Sequence, residues 1–529
     1  MKRLLARFSR ALRGPGLGIA LAATMASAAE ANRYYRVENI ASPPGVDGGC
    51  NGLSFLPDGR VVAAFDAGQV WIYTPATKEW KRFAEGLHTP MGVLALNDHE
   101  IVVSQRPELT RLVDTDGDGT ADEYRTICDS WGLSGNYHEF AYGLARDKAG
   151  NFYVALGSAS GGGVSRYETR GDYKGAGPTP GSGHYSPSPY RGWVVRISPE
   201  GKLTPVAAGF RQPAGINIDP EGRVFVTDNQ GDWIGTSKLH HIVDGRFYGH
   251  PASLVWRDDY RPNRSLLELD QLRTEAVALL PHAILANSPG QPSFDTTDGK
   301  FGPFAGQMFV PDYVTPRIFR VMIDEVAGEL QCAAATFFDG APLRTSNVRT
   351  AFAPDGSLWS CQSERKLGWP GASGIQRMVW NGVTPLDVHS VRLTARGFVF
   401  TFTKTLDLSA QAELTAAFKG VSYYYQYHGD YGSPRTDIHP ITVNNVTFGD
   451  DGRAATLELN KLQPGYIYQF DLRGLRAADG ELIANPLVCY TLNRLVDGTK
   501  VSLPRPSPTG DSQGTGKDKP PGAKMRDVD

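Results

Sequence analysis

Short runs of alternating or β-branched apolar residues, separated by polar turns, recur along the chain as far as Trp380. Gly-centred turns lie at residues 57–59, 148–150, 220–222 and 354–356, and a weaker turn lies at residues 97–98. Runs of this length and alternation predict β-strands, and the turns between them predict antiparallel hairpins. The pattern therefore predicts an all-β protein.

A second kind of strand, in which apolar residues flank a polar one, follows these hairpins. It occurs as VWIY (70–73), LTRL (109–112), VVRI (194–197), LHHI (239–242), IFRV (318–321) and IQRM (375–378). Diverged repeats of short strands indicate a propeller, in which each blade needs neighbours to bury its faces. We predict a six-bladed β-propeller over residues 34–383. The alternative is a pair of β-sandwiches, or a barrel, with insertions such as residues 161–190.

The pattern of apolar and polar residues changes from Leu386 onwards. GFVFTFTK (397–404) alternates strictly, and the tyrosine-rich VSYYYQYH (421–428) follows it. This predicts a small antiparallel β-sandwich of immunoglobulin-like type over residues 386–495, docked on the propeller through Tyr423 to Tyr427. Residues 501–529 are rich in Pro, Gly, Lys and Asp and almost free of apolar side chains, which predicts a disordered tail.

The first 28 residues have the form of a secretory signal peptide. They combine five basic residues, an apolar run at residues 17–26 and the small-residue pattern Ala26-Ser27-Ala28. A membrane anchor is the alternative, but the apolar run is shorter than the ~20 residues that a span needs. We therefore expect a periplasmic or secreted protein that has no membrane span once the signal is cleaved.

The net charge and the cysteine spacing argue against several classes of partner and of metal or redox site. Without the signal segment 49 basic residues face 56 acidic ones, a net charge of −7, which argues against nucleic acid and anionic membrane surfaces as partners. The five cysteines contain no CxxC or CxxCH, which excludes zinc ribbons, thioredoxin-like motifs and c-type haem. One or two disulfides are compatible with export, and at least one thiol is then left over.

The acidic stretch DTDGDGTADE (114–123) has carboxylates at alternate positions and glycines for a sharp turn, the pattern that wraps oxygen ligands around Ca²⁺. Arg125 stands where an EF-hand loop would have its bidentate Glu, so a residue nearer the turn would have to complete the shell. The alternative is a solvated acidic turn. We predict a structural Ca²⁺ site whose ligands are drawn from Asp114, Asp116, Asp118, Asp122 and Glu123.

Polar residues gather at strand ends in two stretches, residues 209–251 and the segment around His138. Because they lie at equivalent ends of the predicted inner strands, we expect them to converge at one end of the central channel. His138 could act there as a general base, although a loop histidine that only satisfies a hydrogen bond is the alternative. The predicted catalytic residues are His138, Arg211, Asp228 and Asp232. The predicted cofactor-binding residues are Arg211, Gln212, Asn229, Gln230, Trp233 and His250.

HEFAYGLARDKAGNFYVALG (138–157), GFRQPAGINIDPEGRVFVTDNQGDW (209–233) and FYGHP (247–251) together resemble the soluble quinoprotein glucose/sorbosone dehydrogenase-like propellers. Residues 288–312 and 353–382 extend the likeness to a secreted branch of that superfamily common in planctomycete-type bacteria. The resemblance implies that His138 removes a hydroxyl proton from the substrate, and that hydride passes to pyrroloquinoline quinone (PQQ) held by Arg211 and Ca²⁺. Gln212 replaces the usual Asn, and Val314 stands where the family has a quinone-binding Lys.

Three functions fit this pattern. The first, which the His138–Arg211 pair favours, is an exported sugar or polyol oxidoreductase that uses PQQ or another quinone. The second is a cofactor-free glycan hydrolase or lyase that uses His138, Asp228 and Asp232. The third is a non-catalytic carbohydrate-binding scaffold on which tyrosines and Trp233 stack sugars. In each case the expected partner is a small-molecule sugar or glycan, and the electron acceptor of the first is not indicated by the sequence.

Overall fold

The computed structural model describes residues 33–46, 48–161, 169–174, 183–364 and 372–503. The predicted signal peptide at residues 1–28, and residues 504–529 of the predicted tail, lie outside these ranges. Regular structure in the described part is almost entirely antiparallel β, which confirms the all-β prediction. The helices are α1 (Leu266–Leu272), α2 (Gln411–Ala417) and two 3₁₀ turns at Pro251–Trp256 and Leu408–Ala410. No helix in these ranges is long and apolar enough to cross a membrane.

Most strands of the first half of the chain form four-stranded antiparallel sheets. They are β1 (Tyr35–Ile40), β2 (Cys50–Phe55), β3 (Val61–Phe65), β4 (Gln69–Thr74), β5 (Glu79–Ala84), β6 (Gly92–Ala95), β7 (Glu100–Ser104), β8 (Leu109–Val113), β9 (Glu123–Cys128), β10 (Ala141–Arg146), β11 (Phe152–Leu156), β12 (Ala159–Ser160), β13 (His184–Tyr185), β14 (Trp193–Ile197), β15 (Leu203–Ala208), β16 (Gly215–Ile218), β17 (Val224–Asp228), β18 (Asp232–Ile234), β19 (Ser237–Ile242) and β20 (Ala278–Leu280). The sheets are β2-β3-β4-β5, β6-β7-β8-β9, β10-β11-β14-β15 and β16-β17-β19-β20.

The second half of the chain supplies two more units of the same kind and the C-terminal strands. They are β21 (Ser293–Phe294), β22 (Met308–Pro311), β23 (Arg317–Val326), β24 (Glu329–Asp339), β25 (Asn347–Phe352), β26 (Leu358–Gln362), β27 (Gly374–Trp380), β28 (Val388–Leu393), β29 (Gly397–Phe402), β30 (Lys419–Tyr424), β31 (Tyr427–Tyr431), β32 (Thr436–Pro440), β33 (Val443–Phe448), β34 (Ala454–Leu459), β35 (Tyr466–Asp471) and β36 (Leu487–Leu492). The fifth unit is β21-β22-β23-β24, and the sixth is β25-β26-β27 completed by the N-terminal strand β1, with Tyr35 opposite Trp380 and Ile40 opposite Ile375.

The repeat read from the sequence corresponds to these units strand for strand. The Gly-centred turns join first strands to second strands, and the six strands with a polar residue between apolar ones are the third strands β4, β8, β14, β19, β23 and β27. The third strands lie inside their sheets, and most of their residues are buried. The hydrophobic pattern therefore predicted each of these strands correctly.

The first strands of the units contact one another in sequence, from β2 to β6, β10 and β16, and from β21 to β25 and back to β2. Asn217 Nδ2 donates to the carbonyl of Pro292 at 2.8 Å and links the fourth unit to the fifth. The guanidinium of the buried Arg349 donates to the carbonyls of Ala214 (2.6 Å) and Met91 (2.8 Å), which belong to the fourth and second units. Arg349 therefore lies where first strands from several units meet.

Four of the C-terminal strands continue the sheet of the fifth unit. β24 pairs with β36, and the sheet order runs β21-β22-β23-β24-β36-β35-β30-β32. A second sheet, β28-β29-β34-β33, packs over it, and Phe398, Phe400 and Tyr490 are buried in the same cluster as Met322 of β23. One sheet therefore crosses the boundary that was placed at residue 386. We call residues 386–495 the C-terminal unit.

The tyrosine cluster and the cysteines lie in the interior. Tyr423 and Tyr425 are buried with Phe225 and Leu239 of the fourth unit, so the cluster does contact the first half of the chain. All five cysteines are buried free thiols, and no disulfide is formed.

Candidate functional site

Gln212 connects the two stretches in which we predicted the site, residues 209–251 and the segment around His138. Its side-chain amide nitrogen donates to the carbonyls of His138 (3.2 Å) and Ser158 (2.8 Å), and its amide oxygen accepts from the Tyr142 hydroxyl at 3.1 Å. The ends of β11 and β17 and the segments before β10 and β16 are thereby held at one end of the sheets. The structure thus brings His138 and the turn at residues 211–212 together, and it leaves the amide of the buried Gln212 fully engaged.

Asp232 is a buried carboxylate that ties three elements together. It accepts from Arg211 Nε at 2.8 Å, from His250 Nε2 at 2.9 Å and from the backbone amide of His184 at 2.9 Å. Burial on its own would raise the pKa of Asp232, but His250 and Arg211 outweigh it and hold that pKa far below its usual range. Asp232 therefore stays ionised and fixes the positions of Arg211 and His250.

Asp228, the last residue of β17, fixes the backbone of the turn at residues 211–212. Its carboxylate accepts from the amides of Arg211 (3.2 Å) and Gln212 (2.7 Å) and pairs with Lys238 Nζ at 3.3 Å. Only 1% of the Asp228 side chain and 2% of the Lys238 side chain are exposed. Burial lowers the pKa of Lys238, although Asp228 opposes that shift. These contacts seal the Asp228 carboxylate from a substrate and make it a support for the turn that carries Arg211.

Three imidazoles form a row next to Arg211. The ring centroids of His138 and His184 are stacked 5.2 Å apart, those of His184 and His250 are 6.4 Å apart, and the ring of Tyr137 lies 3.9 Å from that of His138. His138 is half-buried, whereas His184 and His250 are buried. The row therefore presents His138 as its most accessible member.

His184 was not predicted, because it lies in the insertion at residues 161–190, away from the repeat. It is placed by the short β12–β13 ladder, in which Ser160 is opposite His184. Ser158 Oγ lies 2.6 Å from the Arg211 carbonyl, which can only accept, so the hydroxyl proton points there and His184 Nδ1 donates to Ser158 Oγ at 2.9 Å. Burial, with further help from the charge on Arg211, lowers the pKa of His184 well below its usual value. His184 is therefore a neutral imidazole whose Nε2 carries the lone pair.

Arg211 has one engaged and two open nitrogens. Its Nε donates to Asp232, and among the described residues its Nη1 and Nη2 make no hydrogen bond. The guanidinium carbon lies 5.3 Å from the ring centroid of Tyr431, and 13% of the side chain is exposed. Arg211 therefore offers a planar pair of N–H donors to an anion or to a polyhydroxylated ligand.

The remaining predicted cofactor residues are placed around this centre. Gln230 Nε2 lies 3.2 Å from His282 Nε2, and the buried Asn229 Oδ1 has no hydrogen-bond partner among the described residues. Trp233 has a positive φ of 72° and packs its ring 5.5 Å from that of Tyr427. Trp233 thus faces a hairpin of the C-terminal unit, since β18 pairs with β31.

The acidic loop is a separate cluster, away from the histidine row. Side-chain oxygens of Asp114, Asp116 and Asp122 lie within 4.8 Å of one another, whereas Asp118 and Glu123 are not part of that group. Asp114 is buried and accepts from the amides of Gly117 and Gly119, each at 2.8 Å. Burial works against the ionised form of Asp114, but these two amides lower its pKa, and the Thr115 hydroxyl and amide lower the pKa of Asp122. The cluster is therefore a turn, ordered by its own backbone amides, in which three carboxylates converge.

A partly open cavity of about 230 Å³ lies elsewhere, where β1 and the fifth unit meet the C-terminal unit. Its buried carboxylate, Asp387, is satisfied by Arg320 at 3.2 Å and by Asn485 Nδ2 at 2.7 Å. Burial raises the pKa of Asp387, and Arg320 opposes that shift. Because the polar group in this cavity is already paired, we place the candidate site at the histidine row.

The described residues do not fit PQQ. A tricarboxylate needs several cationic partners. At this end of the sheets Arg211 has open nitrogens, but Lys238 is sealed against Asp228, Arg349 is bonded to carbonyls, and Val314 is apolar. One open cation at this end, within the part of the chain that the structure describes, cannot balance three carboxylates, so no step is assigned to a bound quinone.

The comparisons with known proteins find only distant similarities. A domain of unknown function (DUF7133) matches residues 76–263. No curated protein matches the sequence. Solved structures similar to this chain include three sugar dehydrogenases. The soluble aldose sugar dehydrogenase of Escherichia coli, in its apo form, is 12% identical over 66% of this chain and 100% of that one, with a TM-score of 0.47. The PQQ-bound aldose sugar dehydrogenase of Streptomyces coelicolor is 15% identical over 66% and 98%, with a TM-score of 0.42. The holo PQQ domain of the Coprinopsis cinerea pyranose dehydrogenase is 12% identical over 65% and 95%, with a TM-score of 0.47.

Proposed function

We propose that residues 34–383 form a six-bladed β-propeller and that residues 386–495 form a β-sandwich docked on it. The contacts between successive first strands support a ring of blades, and β1 closes the ring by completing the sixth sheet. Arg349 then fills the channel, since it binds carbonyls of the second and fourth blades. The candidate site lies at one end of that channel, where propeller loops commonly carry function.

We propose that this chain is an exported enzyme that acts on a sugar or a related polyol at the histidine row. The observation that carries the proposal is the row His138, His184 and His250 beside the open guanidinium of Arg211. An imidazole can take up a proton near neutral pH, and the fixed guanidinium can hold an anionic or hydroxyl-rich substrate against it. His138 is the accessible imidazole and is therefore the proposed base. Arg211 is the proposed binding group, and Asp232 positions it.

Oxidation of a sugar hydroxyl is the reaction we favour, because the segment from His138 to Gly157 resembles sugar dehydrogenases. In that reaction His138 takes the hydroxyl proton. The hydride would pass to an external quinone-type acceptor, which becomes reduced to the quinol and which the assay supplies because the described residues hold none.

Elimination from an acidic sugar is the second candidate, and the open nitrogens of Arg211 favour it. A carboxylate paired with a guanidinium makes the adjacent C–H more acidic, and a neighbouring imidazole can remove that proton. The electron pair then expels the oxygen substituent at the next carbon, so no oxidant is required. This reaction uses the same residues as oxidation and differs in its product.

One assay panel separates the two reactions. Purified protein is given neutral sugars, polyols and uronate oligosaccharides, with and without PQQ plus Ca²⁺, and both dye reduction and ultraviolet absorbance of unsaturated products are recorded. His138→Ala should lower turnover by roughly 10²–10⁴-fold, while the melting temperature stays within the range of the control His439→Ala, which changes a histidine that is 46% exposed. Full activity of His138→Ala, or no product from any substrate, would overturn the proposal.

We also propose that the acidic loop binds Ca²⁺ as a structural ion. The convergence of Asp114, Asp116 and Asp122 supports this, and Glu123 is directed instead to Arg125, with 2.5 Å between its Oε2 and Arg125 Nε. Oxygen-only ligands on a Gly-rich turn suit a hard cation. A calcium ion there would stabilise the turn between β8 and β9 and would take no part in the reaction.

A further inference from the structure

A hairpin of the C-terminal unit reaches the candidate site. β31 pairs with β18, with Asp232 opposite Tyr431 and Ile234 opposite Tyr427. The Gly432 amide donates to the Gly231 carbonyl at 3.0 Å, and the Tyr427 hydroxyl donates to the Gly249 carbonyl at 2.6 Å. We call residues 427–433 the arm. Main-chain pairing fixes the arm to the same loop that carries Asp232.

The register places Tyr431 differently from the other tyrosines of this region. Tyr423 and Tyr425 are buried in the core, and Tyr427 packs against Trp233. Tyr431 is 65% exposed, although it lies directly opposite the buried Asp232, and its ring is 5.3 Å from the Arg211 guanidinium carbon. An aromatic ring that is held in place yet left open to solvent costs little to order when a ligand packs on it.

The chemistry of the pair indicates what that ligand is. An aromatic face packs against the C–H face of a pyranose ring, and a planar guanidinium with two open nitrogens forms a two-point contact with a carboxylate. Arg211 keeps its orientation because Asp232 holds Nε at 2.8 Å, so its open edge has a fixed direction. A sugar that carries a carboxylate satisfies both groups at once, whereas a neutral sugar satisfies only the ring face and weaker hydrogen bonds.

We propose that the candidate site is a composite of both parts of the chain and that it recognises acidic sugars, with Tyr431 of the arm stacking on the sugar ring while Arg211 binds its carboxylate. The inference rests on the proposed function for the place of the reaction, but it concerns binding alone. It gives the C-terminal unit a role in substrate recognition and makes Tyr431 a binding residue in addition to those that the sequence indicated.

Binding is measured by calorimetry with glucuronate and with glucose, in a His138→Ala background that prevents turnover. Glucuronate should bind more tightly than glucose. Tyr431→Ala should weaken glucuronate binding about 3- to 10-fold, and Tyr431→Phe should stay within about twofold because the ring is kept. Tyr260→Ala, which removes a tyrosine that is 42% exposed, is the matched control and should leave the affinity unchanged. Thermal unfolding should be unaltered in all three variants, since the arm is held by its backbone.

Each outcome separates this inference from the proposed reaction. Equal glucuronate affinity in Tyr431→Ala and in the parent protein overturns the role of the arm, and a preference for glucose overturns the acidic substrate. If glucuronate binds and Tyr431→Ala weakens it, but the wild-type protein converts no substrate, the proposed reaction fails while the composite binding site stands. If neither sugar binds, the acidic-sugar inference is overturned, while the proposed reaction is decided by the assay panel with polyols and oligosaccharides.

Discussion

Two groups of carboxylates in this protein have similar composition and opposite environments. Asp228 and Asp232 are buried, and each is bonded to positively charged side chains of its own chain. In the acidic loop Asp116 and Asp122 are exposed, and their recorded partners are backbone amides and the Thr115 hydroxyl. A buried carboxylate must be paired because desolvation is costly, whereas an exposed one is free to exchange partners with ions in solution. The first group therefore holds the chain together, and the second is open to an added cation.

Removal of Asp232 should produce the largest effect on stability. Asp232→Ala leaves Arg211 and His250 without their shared carboxylate in a buried setting, and breaking a buried pair in this way typically costs about 3–5 kcal/mol. We expect the free energy of unfolding, measured with urea, to fall by roughly that amount. Asp116→Ala in the exposed loop is the matched control and should change it by less than about 0.5 kcal/mol. Similar losses for the two variants would mean that burial does not distinguish the groups.

The buried histidines sharpen the same contrast through pH. His240 has no exposed surface, its ring lies 4.9 Å from that of Tyr248, and neither of its nitrogens has a hydrogen-bond partner among the described residues. Burial lowers the pKa of His240 from 6.5 to about 3. The unfolded chain therefore takes up a proton at this residue below pH 6.5 while the folded chain does not, and stability falls as pH falls.

The expected slope is about 1.4 kcal/mol for each pH unit below the unfolded pKa, or about 2 kcal/mol by pH 5. His240→Leu should remove this part of the acid sensitivity, and unfolding by urea between pH 7 and pH 5 measures it. His184, whose pKa burial also lowers, contributes with the same sign and keeps its contribution in the variant. An unchanged slope in His240→Leu would show that this imidazole is already protonated in the folded protein.

Local pattern carried most of the fold but only part of the site. Period-two alternation and Gly-centred turns are properties of neighbouring residues, so each third strand, and the first hairpin turn of five of the six units, could be predicted. The strand β1 was not recognised as the closing strand of the sixth unit, because its partner β27 lies about 340 residues further along the chain. The boundary at residue 386 was predicted from a change in the hydrophobic pattern. That change carries no information about the pairing of β24 with β36, which joins residues on the two sides of the boundary.

At the candidate site the polar strand ends indicated Arg211 and Asp232, and the structure places these two side chains in contact. The sequence could not distinguish the support role of Asp228 from a catalytic one, since the difference depends on the burial of Lys238 beside it. His184 and Tyr431 lie outside the repeat, and long-range backbone pairing alone brings them to the site. The sequence signals available for them were weak: His184 is a lone histidine in a long insertion, and Tyr431 is an aromatic residue next to glycines in a hairpin.

The acidic loop should give the smallest effect, and its size tests whether the exposed carboxylates act as a cation site. Three carboxylates, of which only those of Asp116 and Asp122 are exposed, are expected to bind Ca²⁺ in the weak range of extracellular modules, about 10⁻⁴–10⁻³ M. At about 1 mM Ca²⁺ this affinity corresponds to roughly 0.4–1.4 kcal/mol of stabilisation by linkage, which should appear as a small rise in melting temperature that chelator reverses. Asp114→Asn should abolish the rise, because Asp114 is the buried member of the group and orders the turn through Gly117 and Gly119. Mg²⁺ should have a weaker effect, since it requires a smaller octahedral shell and gives up its water less readily. A melting temperature that does not respond to Ca²⁺ would make the loop a solvated acidic turn. The loop carboxylates would then differ from Asp232 only in being hydrated instead of bonded to charged side chains.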